Sequence, residues 1–441
     1  MIVPVELDFK SITSGSPQQD VDVANYDLWM TFIKNVHDIP EALNIDKFKL
    51  ALSKALAIYR HACGRLSKDM NGDGMLLWKI RLTDSPIPVE IVHLDHLPQF
   101  TDSVIQDDLL LFLPDMNSNI VNADQPLLGL KLHISTQRTI IGVAWHHTLG
   151  DAATFLRFMI TLSGCYQDYG PDHISPPSFH KHRFPNPSPT DIPEWLPHMS
   201  HLAHTYPASE IGAKYTEGNE VVHPIRVIVR RSDAEVLRRK VQAMQDSNSQ
   251  LKISIHDCLA ACFITAINSI QTNAVRRFTN VAGFRQIEAE WNEPNVAGNS
   301  IYIISTEFDP NHLLDLGYIS AKIRETLGAA RRPGFIASYV SVAGHLMMLA
   351  ADKEEHFFFG SDHNTLSMNS NAVLDWQAVS FGSPSARFFT SGITRFYLRV
   401  YPANPTSDSG KGDALDITFG APTSMRQGII EHLGPEFLVV E

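Results

Sequence analysis

The sequence predicts an α/β protein of two domains, and three observations support this. The chain has 441 residues, more than a single hydrophobic core usually accommodates. Hydrophobic residues make up 44% of the chain and charged residues 19%, as in globular proteins with a sizeable core. Strand-like and helix-like patterns alternate on both sides of a proline-rich segment near 174–224.

In the N-terminal half, apolar residues at helical spacing predict a long amphipathic helix over 48–59. A short acidic segment at 105–113 is also helix-like, and a further helix is expected from 152 onwards. The strand-like runs of this half are 76–82, 89–94, 127–134 and the β-branched run 139–145. The last of these has the composition of a buried central strand.

In the C-terminal half, Ser254 and Asp257 form a capping-box pattern that predicts a helix through Asn268. Mixed structure is expected after Ile336. The other predicted helices start at 234 and cover 313–327 and 423–432. The predicted strands are 224–231, 278–284, 300–308, 388–401 and 414–418.

The formal net charge of −12 and a pI near 5.9 argue against a nucleic-acid partner, because phosphate contacts need clustered cations. The runs 238–240 and 276–277 are short and are interpreted as solvated faces. Residues 1–8 contain no basic segment followed by an apolar one, and no stretch is expected to approach a membrane span of roughly 20 apolar residues. We therefore expect a cytoplasmic protein without a membrane partner.

Four cysteines in so long a chain make a poor disulfide framework, so reduced thiols are expected. Cys258 and Cys262 lie four residues apart near His256, a spacing that allows metal ligation. They fall in an apolar helical pattern without an evident fourth ligand, so no metal is expected.

The candidate for chemistry is His147, which is followed four residues later by Asp151. The pair lies between the buried strand and a helix, where side chains can emerge from a rigid scaffold. The spacing alone is weak evidence. It equally fits a hydrogen-bonded core histidine and an aspartate that caps the helix.

Beside this pair, the chain resembles the BAHD acyltransferases over most of its length. The family's His-x-x-x-Asp signature matches His146–Asp151, with Ala152 where a glycine often follows. Three further landmarks fall in the family's order: the helix and turn 52–66, with Cys63 replacing alanine; the strand 278–285, which carries Arg285; and the pair Gly298-Asn299.

The second family signature, Asp-Phe-Gly-Trp-Gly, is degenerate in this chain. Its best match is Ser380-Phe381-Gly382-Ser383-Pro384, which lacks the aspartate and the tryptophan. In the family this loop is structural, so its loss need not abolish chemistry. It indicates a divergent branch, of the kind seen among fungal secondary-metabolite enzymes.

The resemblance implies two similar chloramphenicol-acetyltransferase-like lobes, each a mixed sheet with flanking helices. The expected boundaries are 1–178 for the first lobe, 179–222 for a crossover linker and 223–441 for the second lobe. A strand near 385–402 is expected to complete the first lobe. A monomer is expected.

The resemblance also implies transfer of an acyl group from acyl-CoA, as co-substrate, to a hydroxyl or, less readily, an amine of a small metabolite. Neutral His147 would act as general base. Asp151 would turn away from the cleft and pair with Arg285. Ser370 and Asn371 are the candidate hydrogen-bond donors to the oxyanion. Lys252 and Ser254 are the candidate residues that bind the CoA phosphates.

Two other functions stay open at the level of sequence. An enzyme of the same fold could use His147 in a condensation or cyclisation without CoA, as the degenerate second signature suggests. A binding or scaffold protein could keep the lobes and lack activity, although the intact His147 and Asp151 pair argues against that.

Overall fold

A computed structural model describes the backbone of 2–6 and residues 20–70, 76–83, 85–170, 175–217, 221–246, 250–271, 273–362, 364–390, 392, 394–405 and 413–440. Residues 1, 7 and 8 of the N-terminal segment, residues 171–174 of the predicted first lobe and residues 218–220 of the predicted linker lie outside the described residues.

Strands and helices alternate through the described residues. The helices are α1 (Ile45–Ile58), α2 (Ala152–Tyr166), α3 (Asp191–Trp195), α4 (Ala208–Thr216), α5 (Arg231–Ala243), α6 (Ile255–Asn268), α7 (Leu316–Ala330), α8 (Pro333–Asp352) and α9 (Thr423–His432). The strands are β1 (Ile2–Glu6), β2 (Val21–Asp22), β3 (Phe32–Ile39), β4 (Arg65–Met70), β5 (Leu76–Arg81), β6 (Pro88–His93), β7 (Ile105–Gln106), β8 (Leu128–Ile134), β9 (Thr139–His146), β10 (Thr205–Pro207), β11 (Val222–Arg230), β12 (Arg277–Gly283), β13 (Ile301–Glu307), β14 (Glu355–Phe357), β15 (Thr365–Ser370), β16 (Ala386–Thr390), β17 (Tyr397–Pro402), β18 (Ala414–Pro422) and β19 (Leu438–Val440).

The chain divides into two compact units. The first comprises Met1–Arg183, Glu290–Ser300 and Leu374–Ser391, and the second comprises Phe184–Ala289, Ile301–Val373 and Gly392–Glu441. Each unit contains one mixed sheet, with strand order β1-β6-β8-β9-β3-β16-β7 in the first and β13-β12-β15-β17-β18-β11-β19 in the second. The predicted α/β class with flanking helices is confirmed.

In the first unit, β9 is buried along its whole length because both faces of the sheet are covered. On one face, Trp145 packs against Phe155 and Phe158 of α2, with ring centroids 5.6 and 5.2 Å apart. On the other face, Ile140 belongs to a cluster with Phe112. The strand that leads to the histidines is therefore held rigidly from both sides.

In the second unit, the apolar face of the sheet packs against α5, α6, α7 and α9. Helix α6 begins with the predicted capping box: Ser254 Oγ accepts from the backbone N–H of Asp257, and the Asp257 carboxylate accepts from the Ser254 N–H at 2.7 Å. These reciprocal bonds satisfy two donors that a helix start leaves unpaired.

The structure corrects two predictions about secondary structure. The segment 105–113 forms the short strand β7 and a 3-10 turn, Leu109–Phe112, rather than a helix. The run 388–401 is two strands, β16 and β17, which belong to different sheets; Gly392 and Phe396, which lie between them in sequence, both have positive φ. In the region 385–402, where a strand is expected to complete the first lobe, β16 lies in the sheet of the first unit and β17 lies in the sheet of the second.

Helix α8 replaces the mixed structure expected after Ile336. Pro333 and Gly334 suggest a loop, but proline is tolerated in the first turn of a helix. No Asp, Glu, Lys or Arg lies between Arg332 and Asp352, so the expectation that no stretch approaches a membrane span was wrong. By length and composition alone α8 is apolar enough to span a membrane, and half of its most apolar window is buried within the protein, as in core helices.

Candidate active site

His147 follows β9 directly and begins a single 3-10 turn that ends at Leu149. Gly150 closes the turn with φ of 141°, a conformation that disfavours other residues, and a Cβ there would lie 2.6 Å from Thr154 Cβ. The Trp145 indole N–H donates to the Gly150 carbonyl at 3.0 Å. The backbone that presents His147 is thus fixed by a glycine and a buried tryptophan.

Asp151 is 2% exposed and is the N-cap of α2. Its Oδ1 accepts from the backbone N–H of Thr154 at 3.0 Å, and its Oδ2 accepts from the backbone N–H of Ser300 at 2.9 Å. The carboxylate therefore joins the histidine turn to a segment distant in sequence. Arg285 lies just after β12, in the second unit, and its pairing with Asp151 stays a prediction.

Asn299 contacts His147 with both ends of its side-chain amide. Its Oδ1 lies 2.7 Å from Nδ1 of His147, and its Nδ2 donates to the His147 carbonyl oxygen at 2.8 Å. Nδ2 also donates to Oδ1 of Asp27 at 3.1 Å. We call His147, Asn299, Asp27 and Lys181 the His147 network.

The His147 network specifies where the imidazole carries its proton. The neighbours of the Asn299 Nδ2 are all oxygen acceptors, so the amide NH₂ must face them and the amide oxygen must face the ring. An oxygen there accepts a hydrogen bond from Nδ1–H. Neutral His147 therefore carries its proton on Nδ1, and the lone pair is on Nε2. Nε2 has no hydrogen bond to any residue that the structure describes.

Asn299 belongs to the segment 290–300, which is part of the first unit. The Arg157 guanidinium on α2 bonds the side chain of Asn295 and donates to the Val296 carbonyl oxygen at 2.8 Å. Ser178 forms a parallel bridge with Val296. These contacts tie a piece of the C-terminal half of the sequence to the helix that follows His147.

The other end of the His147 network is a buried ion pair. Lys181 Nζ lies 2.6 Å from Oδ2 of Asp27, and the two side chains are 2% and 0% exposed. Gly298 approaches this pair closely, since a Cβ there would lie 3.1 Å from Asp27 Oδ1 and 3.0 Å from Lys181 Cε. The glycine before Asn299 leaves room for the lysine side chain.

Trp29 stacks on the His147 ring, with centroids 5.5 Å apart and planes inclined by 27°. Burial lowers the pKa of His147 below its ordinary value of 6.5, while Asp151, Asn299 and Asp27 oppose that shift. The neutral imidazole is therefore the main form at physiological pH, as a general base requires.

His146 lies in the core. It is 2% exposed, its Nδ1 lies 2.7 Å from Thr148 Oγ1, and its ring meets Phe32 edge to face. Burial lowers the pKa of His146 to about 3. A ring so enclosed supports the turn by packing.

A cavity of about 530 Å³ lies in the first unit, beside the His147 network. Two of its wall cations have carboxylate partners, since Lys181 pairs with Asp27 and Arg183 pairs with Asp22 at 2.6 Å. Arg60 lies over the ring of Phe179, 5.0 Å from its centroid. The lining residues are Asp20, Val21, Asp22, Arg60, Phe179, His180, Lys181, His182 and Arg183.

The remaining predicted site residues belong to the second unit. Ser370 ends β15, and Asn371 donates its backbone N–H to the Val400 carbonyl oxygen at 2.7 Å. Lys252 is exposed, whereas Ser254 is occupied by the capping box and by the Arg324 guanidinium. The roles assigned to these residues stay predictions.

The degenerate second signature forms a tight turn in the first unit. Ser380 and Pro384 form an isolated bridge, and Gly382 has φ of 117°. Phe381 is 1% exposed and packs against Phe48 and Tyr166, with centroids 6.1 and 5.7 Å apart. In this chain the turn secures α1 and α2.

In the described part of the chain, no three His, Cys, Asp or Glu side chains are placed to hold a metal ion. Cys63, Cys165, Cys258 and Cys262 are free thiols. Burial raises the pKa of Cys258 to about 12, so it stays a neutral thiol at physiological pH and is a poor metal ligand.

Sequence reasoning missed Asp27, Trp29 and Lys181, and it identified Asn299 only as a landmark. No local pattern marks these residues, because Asp27, Trp29, Lys181 and Asn299 lie 120, 118, 34 and 152 residues from His147 along the chain. The one available signal was the Gly298-Asn299 pair.

Comparison with known proteins supports the architecture. The sequence matches no model of a known protein family, and no curated protein matches it. Among solved structures, TRI101 of F. graminearum, complexed with Coenzyme A and T-2 mycotoxin, matches with a TM-score of 0.66 at 11% identity over 97% of this chain and 100% of that one. Vinorine synthase matches with a TM-score of 0.64 at 16% identity, over 99% of this chain and 97% of that one.

A third match is the epimerization domain of tyrocidine synthetase B, with a TM-score of 0.56 at 14% identity over 95% of this chain and 98% of that one. Identities this low establish a shared fold. The chain has the α/β fold of TRI101 and vinorine synthase, and the fold that the BAHD resemblance implies is confirmed.

Proposed function

We propose that the protein is an acyl-CoA-dependent acyltransferase that moves an acyl group onto a hydroxyl of a small secondary metabolite, with His147 as general base. The observation that carries the proposal is the orientation of the Asn299 amide, which places the proton of His147 on Nδ1 and leaves the lone pair on Nε2. The likeness to a protein solved with Coenzyme A and a mycotoxin supports the choice of co-substrate and acceptor class.

In the proposed reaction, Nε2 of His147 accepts the proton of the acceptor hydroxyl as its oxygen attacks the thioester carbonyl carbon of acyl-CoA. General-base assistance of this kind contributes roughly 10²–10⁴-fold to the rate. The tetrahedral intermediate then collapses, its carbon–sulfur bond breaks, and the imidazolium returns the proton to the CoA thiolate. During the proton transfer the positive ring is stabilised by the amide oxygen of Asn299 and by the carboxylates of Asp151 and Asp27.

The proposal keeps Ser370 and Asn371 as candidate donors to the oxyanion, and Lys252 and Ser254 as candidate contacts for the CoA phosphates. Since the Asn371 N–H is bonded to Val400, its side chain is the part to test. Each assignment predicts a separate effect: an Asn371 variant lowers kcat, whereas a Lys252 variant raises KM for acyl-CoA.

The test is a mass-spectrometric screen of common acyl-CoAs against hydroxylated metabolites. Wild-type protein should form acylated product and free CoA in equal amounts. His147→Ala should lower turnover by roughly 10²-fold or more. His312→Ala, which removes an exposed histidine, is the matched control. Unchanged turnover in His147→Ala would refute the general-base role.

The second candidate function is a condensation or cyclisation without CoA, in which His147 removes a proton. The likeness to an epimerization domain favours it. Titration calorimetry with acyl-CoAs separates the two candidates. Binding of an acyl-CoA at micromolar concentration supports the transferase, and no heat with any of them supports the second candidate.

A further inference from the structure

The cavity of about 530 Å³ in the first unit has the size of a small-molecule binding site, since such sites occupy roughly 300–1,000 Å³. Its wall combines charged side chains with the apolar surfaces of Val21 and Phe179. A molecule that fills it must therefore match a set of charges as well as a patch of apolar surface.

Of the three cations of the arginine and lysine type in the wall, two already have a carboxylate partner. The Lys181 ammonium lies 2.6 Å from Oδ2 of Asp27, and the Arg183 guanidinium lies 2.6 Å from Oδ2 of Asp22. Arg60 forms no ion pair with any residue that the structure describes. Within the described wall, Arg60 is therefore the cation that lacks a counter-charge.

The terminal N–H groups of Arg60 are available to a ligand. Its Cζ lies 5.0 Å from the centroid of the Phe179 ring, which covers one face of the guanidinium. Its Nε is buried, whereas Nη1 and Nη2 are open, and none of the three donates a hydrogen bond to a described residue. A planar guanidinium with free terminal N–H groups matches the two oxygens of a carboxylate.

The wall beside Arg60 is held in place by contacts within the first unit. The Phe179 ring meets the fully buried His61 ring edge to face, with centroids 5.2 Å apart. Ser178, the preceding residue, is bridged to Val296. Because these contacts fix the ring that lies against the guanidinium, the site is formed before a ligand arrives.

The charges around Arg60 favour an anion with a single charge. Asp20 and Asp22 also line the cavity. A dianion would place two negative charges near these carboxylates, with one unpaired guanidinium to balance them. A carboxylate carries one charge and has two oxygens for the Arg60 N–H groups. Val21 and Phe179 offer apolar surface to the rest of the molecule.

We propose that this cavity binds a small organic monocarboxylate, whose carboxylate pairs with the Arg60 guanidinium and whose apolar part lies against Phe179 and Val21. The proposed acyl transfer assigns no role to these three residues. The site is tested without acyl-CoA, so its failure and the failure of the proposed function are separate results.

The experiment measures binding to the full chain by titration calorimetry, in a buffer without carboxylates or phosphate. The probes are 2-naphthoate, its neutral analogue 2-naphthamide, and inorganic phosphate at mildly alkaline pH, where it is mainly a dianion. Wild-type protein should bind 2-naphthoate with a Kd below about 1 mM. The amide and phosphate should bind roughly tenfold more weakly or not at all.

Arg60→Gln should weaken the binding of 2-naphthoate by roughly tenfold or more, because a bidentate, charge-assisted contact is lost. Arg60→Lys keeps the charge without the planar group and should weaken binding less. Arg239→Gln, which removes an exposed arginine of the second unit, is the matched control and should bind as the wild type does. Circular dichroism checks that each variant is folded.

A measurement on the wild type covers the case in which Arg60→Gln does not fold. Phenylglyoxal modifies accessible arginines, and peptide mass spectrometry gives the rate at each one. Bound 2-naphthoate should slow the modification of Arg60 and leave that of Arg239 unchanged.

The proposal fails if the wild type gives no heat with 2-naphthoate, or if 2-naphthamide or phosphate binds as tightly. It also fails if folded Arg60→Gln binds 2-naphthoate as the wild type does, or if the ligand does not protect Arg60 from phenylglyoxal.

Discussion

Asn299 holds His147 from two directions: its amide oxygen lies 2.7 Å from the ring Nδ1, and its amide nitrogen lies 2.8 Å from the backbone carbonyl oxygen of the same residue. One side chain thereby fixes the ring's rotation and its tautomer together. Because the amide orientation is set by the acceptor oxygens of Asp27 and of the His147 backbone, the state of the reactive nitrogen depends on groups that do not contact it.

Replacing Asn299 by alanine should lower kcat roughly 10- to 100-fold, which corresponds to about 1.4–2.7 kcal/mol in the activation barrier. The ring would lose the acceptor for Nδ1–H and would populate both tautomers. KM for acyl-CoA should change little. Steady-state kinetics checks this, with the exposed Asn119→Ala as control. Equal kcat in Asn299→Ala and wild type would show that the amide does not govern the base.

The activity should persist at mildly acidic pH. Burial lowers the pKa of His147 below 6.5, and only the neutral ring can accept a proton. Activity is therefore fully present above that pKa and is lost as pH falls through it. A profile of kcat/KM against pH should have its acidic midpoint below about 6.5. An acidic midpoint well above this value would show that the loss of activity at low pH reports the titration of a group other than His147.

Asp151→Asn should destabilise the first unit by about 1–3 kcal/mol. Both carboxylate oxygens accept from backbone N–H groups, at Thr154 and Ser300, so an amide nitrogen at either place faces a donor. Urea unfolding monitored by circular dichroism measures the loss. Asp151→Ser should recover part of it, because serine is a good N-cap. An unchanged unfolding midpoint in Asp151→Asn would contradict the assigned bonds.

The free energy of unfolding should decrease as pH falls below about 6.5. Burial lowers the pKa values of His37, His61 and His146 to about 3. Between about pH 3 and pH 6.5 these three histidines are protonated in the unfolded chain but stay neutral in the folded protein. Stability is thus full above 6.5 and is lost towards pH 3, by up to about 1.4 kcal/mol per pH unit for each histidine.

Thermal unfolding across this pH range measures that slope. His146→Gln should reduce this slope by the contribution of roughly one bound proton. The variant should also be less stable at neutral pH, because Gln fills the site poorly. A slope equal to that of the wild type would show that His146 titrates normally in the folded protein.

Local patterns in the sequence predicted most of the elements well. The capping box at Ser254 and the apolar run of β9 were both found where expected, because a cap and a buried strand depend on neighbouring residues. The run 388–401 was misinterpreted, since nothing local indicates that β16 and β17 join different sheets. Helix α8 was missed because its Pro-Gly start suggests a loop, whereas burial of its apolar face stabilises it.

The sequence by itself determined the α/β class, the strand that ends at His147 and the cap that Asp151 provides, since each depends on side chains within a few residues of one another. Only the tertiary structure brought Asn299, Asp27 and Lys181 to His147. Hydrogen bonds act over about 3 Å in space, whatever the separation along the chain, so the partner that sets the tautomer of the histidine is decided by the folded backbone.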